Sequence, residues 1–324
     1  DRSRGLGDVY KRQCVFSSEW DEQAKKTYYA NYGDVPFGDI TKESTKNKIP
    51  KDFDILCAGF PCQAFSLAGK RLGFEETRGT LFFDVAEILR RYQPKAFFLE
   101  NVKGLVIHDK GRTFKTILNT LEEVGYVVPD PQIVNAMFFG VPQHRERIYI
   151  VGFRKDLGIK KDDFSYPEQK EVTKKWIDVR EENPVPAKYY LSTTYIETLK
   201  RHKARHEAKG NGFGYDIIPD DGIAHAIVVG GMGRESNLVI DFRQTDLTPT
   251  TRIKGEVNRQ GWRKMTPREW ARLQGYPDNF RIVVADASAY KQFGNSVAVP
   301  AIQATAKQLL KTLNDKKILK IWEY

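Results

Sequence analysis

Apolar and polar positions along this chain repeat with two periods. The run Phe-Asp-Ile-Leu-Cys-Ala from Phe53 to Ala58 reads as a buried strand closed by Gly59 and Pro61, because a short apolar run between turn residues suits a strand covered on both faces. Thr80 to Tyr92 then sets Leu81, Phe82, Val85, Ile88 and Leu89 at helical spacing. Lys95 to Leu99 repeats the buried-strand pattern, and Arg112 to Val124 is a second amphipathic helix, ended by Gly125. Upstream, Cys14 to Ser17 is a short strand candidate, and Asp21 is placed to cap a helix running toward Asn31. Gln132 to Phe139 and Arg147 to Phe153 read as further strands. Strands separated by helices predict an α/β sheet, mostly parallel.

After about residue 167 the texture changes. Residues 168–188 are polar and interrupted by proline, and residues 188–209 hold six Lys/Arg against two Glu. Glycine-rich loops follow at Gly210 to Gly214 and Gly230 to Gly233. This predicts a smaller, loop-rich, mainly β domain over 168–282, inserted into a larger one formed by 1–167 and 283–324. Thr266 to Leu273 reads as a helix with Pro267 in its first turn, and Val299 to Leu313 as a closing amphipathic helix. Residues 1–13 show neither period and are expected to be foreign to the fold.

Length and composition narrow the picture. At 324 residues the chain exceeds the roughly 250–300 at which single cores stop growing, in keeping with two domains. No apolar run approaches the ~20 residues needed to span a bilayer, and no secretory signal is visible, so a soluble, cytoplasmic protein without a membrane partner is expected. The formal net charge of +10 points to a polyanionic partner. Three cysteines, Cys14, Cys57 and Cys62, are an odd set with no zinc spacing, which leaves a reactive thiol open.

Candidate chemistry gathers at strand ends, where open α/β sheets place functional groups. The first buried strand runs into Gly59-Phe60-Pro61-Cys62-Gln63, which puts Cys62 where a nucleophile would sit; a small apolar cysteine in a turn is the alternative. The next strand ends in Glu100-Asn101-Val102, offering a carboxylate to the same crevice. Arg145 and Arg147 are two apart, so on an extended segment both guanidiniums point to one side, suited to a phosphate or a carbonyl oxygen; a salt-bridged strand start is the alternative. His202 and His206 are four apart, but with no third ligand evident no metal is expected, and solvated or phosphate-facing imidazoles are favoured.

In order, the segments Glu19-Trp20-Asp21, Gly38-Asp39-Ile40, Pro61-Cys62-Gln63, Glu100-Asn101-Val102, Gln-x-Arg-x-Arg at 143–147, Arg263 to Phe280 and Gly294-Asn295-Ser296-Val297 resemble the motifs of the cytosine-5 DNA methyltransferases. The resemblance covers nearly everything after residue 13. It implies a Rossmann-like, S-adenosylmethionine-dependent methyltransferase sheet with a smaller target-recognition domain. It implies that Cys62 adds to C6 of a flipped cytosine, that Glu100 holds a proton at N3, and that Arg145 and Arg147 bind the base carbonyl and a nearby phosphate. It assigns Glu19 to the donor's ribose and Trp20 and Asp39 to its adenine, with Ile40, Pro61 and Asn295 lining the same pocket. Gln63, Gly231, Arg234, Thr248 and Arg252 become candidate contacts to double-stranded DNA, with Gln63 and the Ser66 to Gly79 loop closing over the base. A monomer paired with a cognate restriction endonuclease is the setting implied. The family's first motif, a Phe-x-Gly-x-Gly-type turn, has no counterpart here, since no apolar strand precedes Gly5-Leu6-Gly7.

Two rivals accompany this expectation. One branch of the family methylates transfer RNA and usually carries a Cys-Phe-Thr element, whereas this chain has no cysteine after Cys62. The other rival is a truncated, donor-blind DNA-binding remnant. A flavin or nicotinamide enzyme is set aside because no Gly-x-Gly-x-x-Gly turn follows a strand.

Overall fold

A computed structural model describes residues 13–61, 81–248 and 255–319. The expectations placed on Gly5-Leu6-Gly7, Cys62, Gln63, the Ser66 to Gly79 loop and Arg252 lie outside those residues. In chain order the regular elements are α1 (Glu22–Tyr32), α2 (Glu43–Lys46), β1 (Ile55–Gly59), α3 (Leu81–Tyr92), β2 (Ala96–Val102), α4 (Arg112–Glu123), β3 (Tyr126–Val127), β4 (Gln132–Asn135), β5 (Gln143–His144) and β6 (Glu146–Arg154). They continue with α5 (Thr193–Glu207), β7 (Ala224–His225), β8 (Leu238–Ile240), β9 (Trp262–Lys264), α6 (Pro267–Leu273), α7 (Asp286–Asn295) and α8 (Val299–Asp315). Among the described residues no helix is long and apolar enough to cross a membrane.

Two compact units divide the chain. The first comprises Asp1–Asn135, Glu146–Glu168 and Ala301–Tyr324, and the second Ala136–Arg145 and Gln169–Pro300. Contacts therefore group 136–145 and 283–300 with the second unit, whereas the sequence pattern placed them with the first.

In the first unit, β1 pairs parallel with β2, and β6 pairs antiparallel with β2 on one edge and with β3 and β4 on the other. The α/β class holds, but among the described residues of this sheet only the β1–β2 pair is parallel, not most of them. Chain length explains one of the antiparallel pairs: only residues 136–145 separate β4 from β6, and a parallel return needs a crossover of a dozen or more. Phe97, Leu99, Ile148 and Ile150 of the sheet bury against Phe82, Leu121 and Ile117. Full burial of side chains of this size stabilises by about 1.5–3 kcal/mol each. The helices form as their local signals dictate. Asp21 accepts the backbone N–H groups of Gln23 and Ala24 at the start of α1, and Gly33, at φ 76°, ends it. Lys46, nearly buried, ties α2 to α3 through Asp84 at 2.7 Å and Glu87 at 2.5 Å.

Two prolines, Pro129 and Pro131, separate β3 from β4 and remove two possible ladder donors along the edge of β6. The hydroxyl of Tyr166 fills the break. It accepts the Val151 N–H at 3.3 Å and donates to the Tyr149 carbonyl at 2.9 Å. The ladder between β2 and β6 continues past the apolar run through Glu100↔Tyr149, Asn101↔Ile148 and Val102↔Arg147, so Glu100 lies within the strand rather than beyond it.

The second unit holds more helix than the mainly β texture expected of it. Its strand pairs, β5 with β7 and β8 with β9, are two or three residues long, and its longest complete element is the fifteen-residue α5. Its centre is a buried ionic cluster. Arg263 donates to Asp241 at 3.0 Å and, through both terminal nitrogens, to Glu269 at 2.8 Å, with all three side chains shielded from solvent. Glu269 also accepts the N–H groups of Thr266 and Glu181, and Thr266 caps α6 in return. A buried ion pair is tolerable when its remaining lone pairs are hydrogen-bonded in this way. Burial pushes the Asp241 carboxyl up, but bonds from Arg243 and the charge of Arg263 outweigh this and hold it well below the usual carboxylate range.

A pH dependence follows from that depressed pKa. The stability Asp241 contributes is complete above its unfolded value of about 3.9 and is lost as pH falls through the folded one. Thermal melts stepped downward from about pH 5 are expected to show a shallower fall of Tm in Asp241→Asn than in the parent. Parallel curves would remove Asp241 as a source of acid sensitivity.

Candidate active site

The register of β1, β2 and β6 brings three residues together. Gly59 stands opposite Glu100 across the parallel pair, and Val102 stands opposite Arg147 across the antiparallel one. Arg147 thereby reaches diagonally to Glu100, Nε to Oε1 at 3.1 Å, with the side chains 14% and 17% exposed. A Cβ on Gly59 would lie 3.6 Å from Oε2 of Glu100, so the carboxyl rests over backbone with no side chain between. Burial draws the Arg147 pKa below the usual guanidinium range, against the opposing pull of Glu100.

Asn101 fixes what comes next. Its buried side chain donates to the Phe60 carbonyl at 2.5 Å and accepts the Val102 N–H at 2.8 Å. The amide thus ties the end of β2 to the residue before Pro61, which is exposed. The sequence pattern singled out Glu100 and passed over Asn101. The available signal was an amide following an acid at a buried strand's end, a group that must find partners if buried.

Four of the residues expected to bind the donor, Glu19, Trp20, Asp39 and Ile40, form a second group in the first unit. Segments 17–19 and 37–38 are zipped by Glu19 N–H to Phe37 O at 2.9 Å, Phe37 N–H to Ser17 O at 2.8 Å and Ser18 Oγ to Gly38 O at 2.6 Å. Cys14 to Ser17 forms no strand of its own; a single bridge, Ser18 to Phe37, is what the pairing amounts to. Trp20 presents its ring outward, 71% exposed. One Glu19 oxygen accepts the Asp21 N–H at 2.8 Å, and Asp39 Oδ1 accepts both the N–H and the hydroxyl of Thr41, which lower its pKa. Ile40 is half-buried beside it. An outward aromatic plate flanked by two carboxylates fits a nucleoside, with a surface for stacking and acceptors for hydroxyl and amine groups.

Arg145 corrects an expectation. It sits in the link before β6, only 3% exposed, and is not part of the strand that carries Arg147. Its guanidinium donates to Ile227 O at 2.8 Å, Gly294 O at 3.1 Å and Ser296 O at 2.7 Å. Those three carbonyls occupy the fork expected to bind substrate. The last two flank Asn295, which is exposed at the end of α7. Two buried amides complete the frame and were not foreseen. Gln143 bonds Leu273 O and the Ile227 N–H, and Gln274 bonds Phe293 O.

Of the expected DNA contacts, Gly231 and Arg234 lie on one loop. Gly230 and Gly231 take φ of 81° and 52°. Gly233 has no room for a side chain, since a Cβ would fall 2.3 Å from Val228 O. The Arg234 guanidinium lies 5.4 Å over the Tyr290 ring, beside a hollow of about 210 Å³ bounded by Val229, Gly231, Trp270 and Lys291. Thr248 is exposed and turned back on Asp246 by two hydrogen bonds. The rings of His202 and His206 lie 4.4 Å apart on α5.

Comparison with known proteins gives concordant likenesses. A family model described as C-5 cytosine-specific DNA methylase matches residues 4–311. Type II methyltransferase M.HpaII of Haemophilus parainfluenzae is 74% identical over 304 residues, 94% of this chain and 84% of its own. Type II methyltransferase M1.ScrFI of Lactococcus lactis subsp. cremoris is 47% identical, covering 97% of this chain and 76% of its own. Among solved structures, the S. pombe Dnmt2 methyltransferase superposes with a TM-score of 0.68 at 17% identity, over 94% of this chain and 92% of that one, a likeness of fold.

A lysine cannot span three carbonyls, so Arg145→Lys leaves at least one of them bare, at a cost of about 1–3 kcal/mol. Urea titration is expected to show that loss of stability. Unchanged stability with reduced activity would return Arg145 to a substrate-facing role.

Proposed function

The chain belongs to the C-5 cytosine-specific DNA methylases, and from that premise we propose how its residues divide the transfer of a methyl group to C5 of a cytosine in duplex DNA. The chemistry sets the requirements. C5 is a weak carbon nucleophile, and a thiolate bond at C6 makes it enamine-like. Cys62 is the residue we assign to that bond. It follows β1 by three positions, on the loop whose Phe60 is held by Asn101. Glu100 meets N3 and holds the proton that neutralises the adduct. Arg147 orients Glu100, meets the base carbonyl and favours the thiolate electrostatically. A stacked base cannot meet these groups, so the cytosine is flipped out. S-adenosylmethionine, held by Glu19, Trp20, Asp39 and Ile40 with Pro61 and Asn295, supplies an electrophilic methyl group. After transfer, loss of the C5 proton and departure of Cys62 restore the aromatic ring.

The observation that carries this reading is the shielded Glu100–Arg147 pair at 3.1 Å, over the bare backbone of Gly59. In the second unit Arg145 acts as a positioning residue, securing the backbone on either side of Asn295. We assign target recognition to 168–282, with Gly231, Arg234, Thr248, Arg252 and, from the first unit, Gln63 meeting DNA. Duplex DNA is favoured over transfer RNA because the relatives at 47% and 74% identity carry type II methyltransferase names. We further propose a monomer in a bacterial cytoplasm, protecting sites that a cognate endonuclease would cut.

Duplexes carrying 5-fluorocytosine at the target are expected to trap a covalent adduct at Cys62 in the presence of donor, and Cys62→Ser to form none and methylate nothing. Glu100→Gln should slow transfer by about 10²–10⁴-fold. Methylation surviving in Cys62→Ser would remove the nucleophile, and preferential labelling of transfer RNA would change the substrate.

A further inference from the structure

Helix α5 carries a row of cations that nothing described above uses. Its inner face is settled: Ile196 and Leu199 are buried with Leu191, Leu238 and Trp262. Lys200 and Lys203 lie on the shoulders of that face, their ammonium groups 5.7 Å over Trp262 and 4.9 Å over Tyr215. Ser192 caps the start by accepting the Tyr195 N–H. The outer face repeats at helical spacing as Thr194, Thr198, Arg201 and Arg205, with Lys209 in the turn that follows, all exposed. Of the two acids on the helix, Glu197 is taken by Lys200 at 3.0 Å, and Glu207 stands two residues from both Arg205 and Lys209, off their row. Among the described residues no carboxylate is paired with Arg201, Arg205 or Lys209.

A charged outer face is ordinary for a surface helix, so the decision rests on how the charges are arranged. Solvated helices gain from opposite charges four apart and lose about 0.2–0.5 kcal/mol for like ones. Here Arg201, Arg205 and Lys209 are like charges at successive steps of four. The helix dipole favours cations in the last turn, which accounts for Arg205 and Lys209 but not for Arg201. The row extends about 12 Å from Arg201 to Lys209 at 1.5 Å per residue, and about 22 Å when Thr194 is included. Duplex DNA carries one negative charge per roughly 1.7 Å of axis, so such a row meets several phosphates at once.

We propose that the outer row of α5 (Thr194, Thr198, Arg201, Arg205 and Lys209) docks on the phosphate backbone of duplex DNA without reading its sequence. This rests on the methylase reading and adds a surface separate from the glycine loop of Gly231 and Arg234. Phosphate contacts set affinity and orientation, while base edges set choice of site. The row therefore acts alike on target and non-target duplexes.

The test titrates the full chain and the triple variant R201A/R205A/K209A with two fluorescent duplexes, one bearing the methylated site and one lacking it, across a salt series. Binding to both is expected to weaken by the same factor. The slope of log affinity against log salt should shrink by about 2.7, or 0.9 per lost cation. The variant R201K/R205K, which keeps the charge, should retain the parent slope. An unchanged slope in the triple variant overturns the proposal while methylation by the parent chain upholds the enzyme. Loss confined to the site-bearing duplex also overturns it, in favour of base readout. A parent chain that neither holds nor methylates any duplex overturns both. Matching thermal melts establish that the triple variant is folded.

Discussion

The antiparallel pairing of β6 with β2 is the constraint from which the site follows. An acid at position 100 and a guanidinium at position 147 are distant in sequence, and they meet because position 147 falls diagonally opposite position 100 in that register. A slip of one residue would turn Arg147 to the other face of the sheet, since side chains alternate with period two. The parallel neighbour β1 contributes by omission, because Gly59 offers no side chain where the carboxyl lies. Precise placement here is a property of backbone ladders, and the hydrophobic faces of Phe97, Leu99, Ile148 and Ile150 hold that ladder in place.

The second unit solves a different problem with similar means. Its strands are too short to organise it, so buried polar groups do the organising. Arg145, Gln143 and Gln274 each connect backbone carbonyls or N–H groups far apart in sequence, and Arg263 joins Asp241 to Glu269. Polar groups in a core specify one arrangement when all are satisfied and are costly when any is not. The loop of Gly230 to Arg234 begins at Ile227, which Arg145 and Gln143 both hold, so its base is fixed while its tip is exposed.

What could be read from the sequence was what is decided locally. The cap at Asp21, the amphipathic stripes of α3 and α4 and the proline-led start of α6 each depend on neighbours within a turn or two, and the structure bears them out. Helix α5 was less legible as a secondary element because only Ile196 and Leu199 mark its inner face. The length of β2 was underread because its polar end is held by a partner strand rather than by its own apolar pattern. The surroundings of Arg145 were illegible for the same reason. Spacing shows where a side chain sits on a strand, but its acceptors are 82, 149 and 151 residues away.

The crowding at Gly233 has a consequence for how such a protein diversifies. A methyl group there would meet Val228 O at 2.3 Å, and one at Gly294 would meet Val229 Cγ2 at 2.7 Å. The path of the loop is thus locked by atoms that are missing and by the positive φ of Gly230 and Gly231, while the outward Arg234 lies under neither limit. Substitution at position 234 can change what the loop touches without changing where it runs. New preferences can then arise by exchanging side chains on an old track, with no need to rebuild the scaffold beneath.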